Sequence, residues 1–335
     1  MTGLVEQVAA MAAEVDAGTA DTRVLLARLG SEGLLARPAD DDPDDALSAP
    51  VTLLREVSAA SLATGFSLWS QTMVQEYLRC CPTPAGAPLL DALATGRVTG
   101  ATALAPALTD LAGGAPVPVL ARRDGDGWLL SGTVPWASNL FGDAVVVTPA
   151  RTDEGSRLVV VFRLSAATVE PAGELLALNG TGTGAVVLDD VAVPADAVLS
   201  SDLAGFVGRC LPAMLLTQAA LALGVADAAL ASAARALTGP NAALEPDAEE
   251  LVARQEDVGD RLTVLAEAPG DARRPELARL RLDAVALAGD AVRLDATVQL
   301  GSGFRAASAT ARRVREAAFL PVQAPTVGQL RATAR

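Results

Sequence analysis

The sequence predicts a mainly α, α+β fold in three parts. These are an N-terminal helical domain over residues 1–96, a middle antiparallel β-domain of barrel or sandwich type over 97–201, and a C-terminal four-helix bundle over 202–335. Two observations lead there. Apolar residues recur at spacings of three and four towards both ends, whereas the middle carries short Val-rich runs punctuated by Gly and Pro. The composition agrees, because 51% of residues are hydrophobic but only 3% aromatic, so Ala, Leu and Val must fill the core, which suits closely packed helices.

Each part can be read in order. Leu4, Val8, Met11 and Val15, followed by Val24, Leu25 and Leu29, mark amphipathic helix between Gly3 and Gly33. The acidic stretch from Asp40 to Asp45 contains Pro43 and predicts a solvated loop. Helical pattern returns from Val51 to Leu78 and from Leu89 to Ala94. Strand-like runs then follow at Pro116–Leu120, Trp128–Leu130, Ala144–Val147, Leu158–Phe162 and Ala185–Val193, with a turn at Asp124-Gly125-Asp126-Gly127. After Asp202, Ala/Leu-rich helices run to about Ala318, interrupted at Gly239-Pro240-Asn241 and Pro269-Gly270.

Composition excludes several function classes. The chain of 335 residues has no His, so a Ser-His-Asp triad, His-ligated zinc and a His general base are all ruled out. A net charge of −14 repels nucleic acid and anionic membrane surfaces, so neither is expected as a partner. Glu6 and Glu14 lie where a signal peptide would be basic and apolar, which makes a cytoplasmic protein the expectation. The apolar run from Leu211 to Ala226 is interrupted by Pro212, Thr217 and Gln218 and predicts a buried helix. Cys80, Cys81 and Cys210 have no zinc-like spacing, and no metal site is expected.

Four segments carry a family resemblance. They are Leu26 to Leu34 (LARLGSEGL), Asp126 to Asn139 (DGWLLSGTVPWASN), Asn179 to Pro194 (NGTGTGAVVLDDVAVP) and Gln299 to Phe304 (QLGSGF), the last followed by Arg312 to Ala317. In this order they resemble the acyl-CoA dehydrogenase superfamily, whose members are flavoproteins. The resemblance implies FAD, with FMN as the other candidate, held by Trp136, Ser138, Ala103, Gln299, Gly301, Ser302, Gly303 and Thr326. Trp136 would cover the flavin ring and Ser138 would bond its N5 edge, while Gly301, Ser302 and Gly303 would serve the flavin of a neighbouring subunit. A homodimer or homotetramer is therefore implied, with a flavin reductase or electron-transfer protein as a further partner.

The sequence departs from that family at the catalytic base. The family glutamate near the C-terminus falls at Gln323 or Ala324, and its alternative position on the first bundle helix falls at Gly208, so neither holds a carboxylate. Asp202 is the substitute acid nearest in sequence, and Arg209 is the candidate substrate contact. The family's flavin-contacting loop is altered to Leu104-Ala105-Pro106, and its interface arginine is replaced near Thr238-Gly239-Pro240-Asn241, which weakens flavin holding. Three functions stay open. One is a flavin oxidoreductase acting on an acyl thioester or related small molecule, the second a monooxygenase using reduced flavin and oxygen, and the third a non-catalytic flavin-binding or assembly subunit.

Overall fold

A computed structural model describes residues 2–37 and 47–334, so the acidic stretch Asp40 to Asp45 lies outside the described residues. Among the described residues five helices come first: α1 (Thr2–Asp16), α2 (Arg23–Ser31), α3 (Ser48–Ala60), α4 (Leu62–Cys80) and α5 (Ala87–Ala94). The single helical stretch predicted from Val51 to Leu78 is divided at Ser61. Its backbone is extended there, and its hydroxyl accepts the Thr64 N–H at 3.3 Å, which makes it the N-cap of α4. Helix α4 is buried along nearly its whole length and forms the spine of this part.

Eight strands occupy the middle of the chain: β1 (Gly100–Thr102), β2 (Leu120–Asp124), β3 (Gly127–Ala137), β4 (Val145–Thr152), β5 (Arg157–Arg163), β6 (Thr168–Pro171), β7 (Gly184–Val193) and β8 (Val198–Ser200), with helix α6 (Ala105–Leu111) after β1. They form one sheet in the order β6-β7-β3-β2-β4-β5-β8, with β1 beside β4. Most ladders are antiparallel, but β1 and β2 both pair with β4 in parallel. The three strands that the sequence did not signal, β1, β6 and β8, have at most four residues, too few to show a period of two. In the β2–β3 hairpin Asp124 pairs with Gly127, and Gly125 takes the positive φ of 59° that so tight a reversal needs.

The C-terminal part contains α7 (Leu203–Ala234), α8 (Glu245–Glu267), α9 (Arg274–Gly303), α10 (Ala309–Phe319) and α11 (Val327–Thr333). Asp202 caps α7 by accepting the Gly205 N–H at 2.9 Å. By length and composition α7 could cross a membrane, but 89% of its apolar window is buried inside the protein, where it packs against α3 and α9. Its contact with α3 depends on Gly224, where an added Cβ would lie 2.3 Å from the Arg55 carbonyl oxygen and 2.9 Å from the Ala59 nitrogen. Gly224→Ala is therefore expected to destabilise the fold by about 1–3 kcal/mol, read as a lower urea midpoint at unchanged slope.

Candidate functional site

A cavity of about 520 Å³ opens where the helical N-terminus, the sheet and the bundle meet. Its walls come from α4, the ends of β1 and β3, the 175–178 segment, Met214 of α7, and α10 with the turn that follows it. Phe66 and Trp69, three residues apart on α4, stack at 5.3 Å, and Phe319 of α10 meets Phe66 edge-on at 4.8 Å. This aromatic cluster forms an apolar wall. Sequence reading missed it because α4 is buried on nearly every side and mixes buried polar residues such as Ser67, Gln71 and Gln75 with the apolar ones, so periodicity does not single out a cavity face.

Trp136 lies on the sheet side. The β3–β7 ladder shifts register once between Leu130 and Gly132, runs on to Val134, opposite Val186, and resumes at Ala137, opposite Gly184, so Pro135 and Trp136 share a second bulge. Pro135 has no N–H to give the ladder, and the bulge lets two successive side chains leave the core. Trp136 consequently remains 58% exposed at the cavity, next to Ala137, which is buried. An indole left this open offers a flat apolar face to a planar partner.

Ser138 and Thr183 also line the cavity, and their hydroxyls belong to a relay with a determined direction. Thr181 Oγ1 donates to the Leu178 carbonyl at 2.7 Å, which uses its only proton. Thr183 must therefore donate to Thr181 at 2.7 Å, and Ser138 must donate to Thr183 at 2.6 Å. Ser138 is left with lone pairs alone, so towards the cavity it presents an acceptor.

No Asp, Glu, His or Lys is found among the described residues that line the cavity. Gln323 and Ala324 are both in its wall, so the predicted base position is there but carries an amide or a methyl group. Tyr77 reaches it too, but burial pushes its phenol well above the usual tyrosine range, and it exchanges a 3.0 Å hydrogen bond with Thr102. Arg315 is the cavity's one charged side chain among the described residues, and it pairs with Asp16. The Asp202 carboxylate serves its cap outside the cavity.

The remaining predicted site residues lie elsewhere. Arg209 donates to the Cys81 sulfur at 3.1 Å rather than lining the cavity, because its position on α7 turns it towards the end of α4. Gly208 is beside Arg274, whose Nη2 would be 2.7 Å from an added Cβ. Ala103 is buried, and its N–H donates to the Val147 carbonyl at 2.9 Å. Gln299 donates to Ser232 on α7, and Thr326 caps α11 in a reciprocal pair with Gln329. Gly301, Ser302 and Gly303 end α9 past a break at Leu300, whose φ of 52° is unusual for a leucine, and Ser302 bonds back to the Gln299 carbonyl. Asn241 ties the end of α7 to α9 through the Ala236 and Val298 carbonyls. The described residues include no cluster suited to a metal ion.

The donor set of the cavity fits a planar heteroaromatic ring. An open indole face, an aromatic wall and a hydroxyl acceptor in one cavity suit such a ring. Of the eight residues expected to hold a cofactor, the structure brings Trp136 and Ser138 to this place within one chain.

Comparison with known proteins gives both a sequence match and a fold match. No family model matches the chain. The short-chain specific acyl-CoA dehydrogenase of Bos taurus mitochondria is 31% identical over 118 residues, which is 33% of this chain and 29% of that enzyme's length. Butyryl-CoA dehydrogenase from Megasphaera elsdenii superposes with a TM-score of 0.87 at 20% identity, over 99% of this chain and 94% of that one. A nitrososynthase from Micromonospora carbonacea superposes with a TM-score of 0.81 at 20% identity, over 99% and 93%. The four ordered segments, the local sequence match and the shared three-part fold agree: the chain has the fold of the acyl-CoA dehydrogenases and is similar to one of them in sequence over a third of its length.

Proposed function

We propose that the protein is a flavin-dependent oxidoreductase whose reaction draws no proton into a protein carboxylate, and that it works as a monooxygenase supplied with reduced flavin. The observation that carries this reading is the cavity wall, in which an amide and a methyl group occupy the expected base position. Removing the α-proton of a thioester needs a base within about 3 Å, and the described lining offers none. A bound flavin would supply two-electron redox chemistry and, in its reduced form, reactivity towards oxygen.

The chain's own residues would do the rest. Trp136 would cover one face of the ring, and the Phe66, Trp69 and Phe319 wall would exclude water from the reacting side. Ser138, held as an acceptor by its relay, suits an N–H, which the reduced ring carries at N5 and the oxidised ring does not. Turning the relay round would cost the bond from Thr181 to Leu178, about 1 kcal/mol, so reduced flavin should be favoured several-fold. That a nitrososynthase shares this fold agrees with chemistry other than thioester dehydrogenation. The segment Gly301 to Gly303, outside the cavity, would complete the cofactor site of a second copy in a homodimer or homotetramer. A separate flavin reductase is the matching partner.

The test uses protein reconstituted with FAD or FMN. Anaerobic addition of butyryl-, octanoyl- and palmitoyl-CoA is expected to leave the oxidised flavin unbleached, and spectroelectrochemistry is expected to show the bound flavin at a higher potential than free flavin. Bleaching by any of these thioesters, or a lower potential, would overturn the monooxygenase reading.

A further inference from the structure

At and behind the Gln323 wall of the same cavity the polar groups do not balance. Gln323 is 4% exposed and lines the cavity. Its Oε1 accepts from Arg281 Nη2 at 3.0 Å, which sets the amide's orientation, since a flipped amide would place two donors face to face. The Nε2 group therefore points away from Arg281; it has no hydrogen-bond partner among the described residues and is closed to solvent, so an acceptor reaches it as the Gln323 side chain turns towards the cavity. A buried unpaired donor costs about 1–3 kcal/mol, so an acceptor is missing at this point.

Arg281 adds a charge to that demand. It is fully buried on α9, and among the described residues no carboxylate lies within ion-pair distance. Its contacts are neutral oxygens: Gln218 Oε1 at 3.2 Å, the Leu320 carbonyl at 3.1 Å and Gln323 Oε1. Its Nη1 has no partner among the described residues. Burial lowers its pKa to about 9, which still leaves it cationic at neutral pH. Gln218 cannot turn to help, because its own Nε2 donates to the Ala324 carbonyl at 2.9 Å. A buried cation without a counter-ion is costly, and an anion entering from the cavity would relieve it.

We infer that the Gln323 wall of the cavity is an anionic-oxygen subsite, in which Gln323 Nε2 donates to the carboxylate of an otherwise apolar ligand and Arg281, behind it, supplies the charge. The walls towards Trp69, Leu104, Met214 and Phe319 would take the hydrocarbon part. The inference rests on reading this cavity as the substrate chamber, and it gives that substrate a class: a small apolar acid bound carboxylate-inward. Gln323 is a binding residue here and Arg281 a positioning residue, because Arg281 acts through the Gln323 amide.

Binding of octanoate, 1-octanol and octylamine, measured by calorimetry with and without FAD, tests it. Octanoate is expected to bind at least ten-fold more tightly than either of the others. Gln323→Glu gives Arg281 a counter-ion and should fold well, yet it should lose octanoate at least ten-fold. Gln323→Met, which removes the donor without adding charge, should bring octanoate and octanol to similar affinity. Equal binding of octanoate and octanol by the wild type, or full octanoate affinity in both variants, would overturn the subsite. Flavin retention is scored separately in the same samples. A carboxylate preference in protein that cannot hold flavin would sustain the subsite and sink the proposed function; flavin binding without the preference would do the reverse.

Discussion

Replacing Trp136 with alanine is expected to weaken flavin binding about 10- to 100-fold while leaving the unfolding midpoint close to that of the wild type. Both halves follow from the bulge that turns the indole out of the sheet. Because the side chain is 58% exposed, folding gains little from it, so its removal opens no core cavity. When a planar ring covers it, however, most of the indole face leaves water, worth about 1.5–3 kcal/mol with the stacking included. Titration of FAD and FMN by fluorescence quenching reads the affinity, and urea unfolding of the apoprotein reads the stability. Trp136→Phe keeps a flat face and should recover most of the affinity. A variant that binds flavin as the wild type does would show that this indole is not the ring's cover.

The second large effect concerns pH. Glu316 on α10 is buried at 2% exposure, and desolvation raises its carboxyl from 4.5 to about 7. Arg312 opposes the shift, but at 3.8 Å it is too far away for a hydrogen bond. The Leu62 N–H, which donates at 3.0 Å at the start of α4, does not offset burial either. Between pH 4.5 and 7 the folded protein therefore keeps a proton that the unfolded chain has released. Its contribution to stability is complete below pH 4.5 and is lost as pH rises towards 7, by about 3 kcal/mol in all. Glu316→Gln retains an acceptor for Leu62 and removes the titration. The stability of the wild type relative to this variant, from urea unfolding at pH 4.5, 6 and 7.5, should fall across the series. A constant difference would mean that Glu316 does not titrate in this range.

Both predictions turn on residues whose chemistry is easier to see in one kind of information than in the other. Trp136 could be singled out in the sequence because the run from Asp126 to Asn139 is continuous and resembles a known strand pair. Pro135 alone already signals an interrupted ladder. Glu316 could not be singled out, since a glutamate on an Arg-rich amphipathic helix looks like a solvated residue until α4 is packed over it. Arg209 shows the opposite hazard. Its neighbourhood in sequence suggested a cavity contact, but helical register places it against Cys81. One residue of helical advance is a rotation of about 100°, more than the boundary uncertainty of sequence reading allows.

By itself, then, the sequence determined the order of the three parts, the exclusion of histidine chemistry and the absence of a carboxylate from the two expected base positions. These are properties of residue identity and local periodicity, which need no partner to be read. Only the tertiary structure decided which side chains share the cavity, which way the Ser138 relay runs, and that Arg281 stands behind Gln323 without a counter-ion among the described residues. Arg281 and Gln323 are 42 residues apart, and Ser138 and Thr183 are 45 apart. Such pairs meet only through packing between elements, and what a buried charge or hydroxyl can do depends on every group that packing places around it.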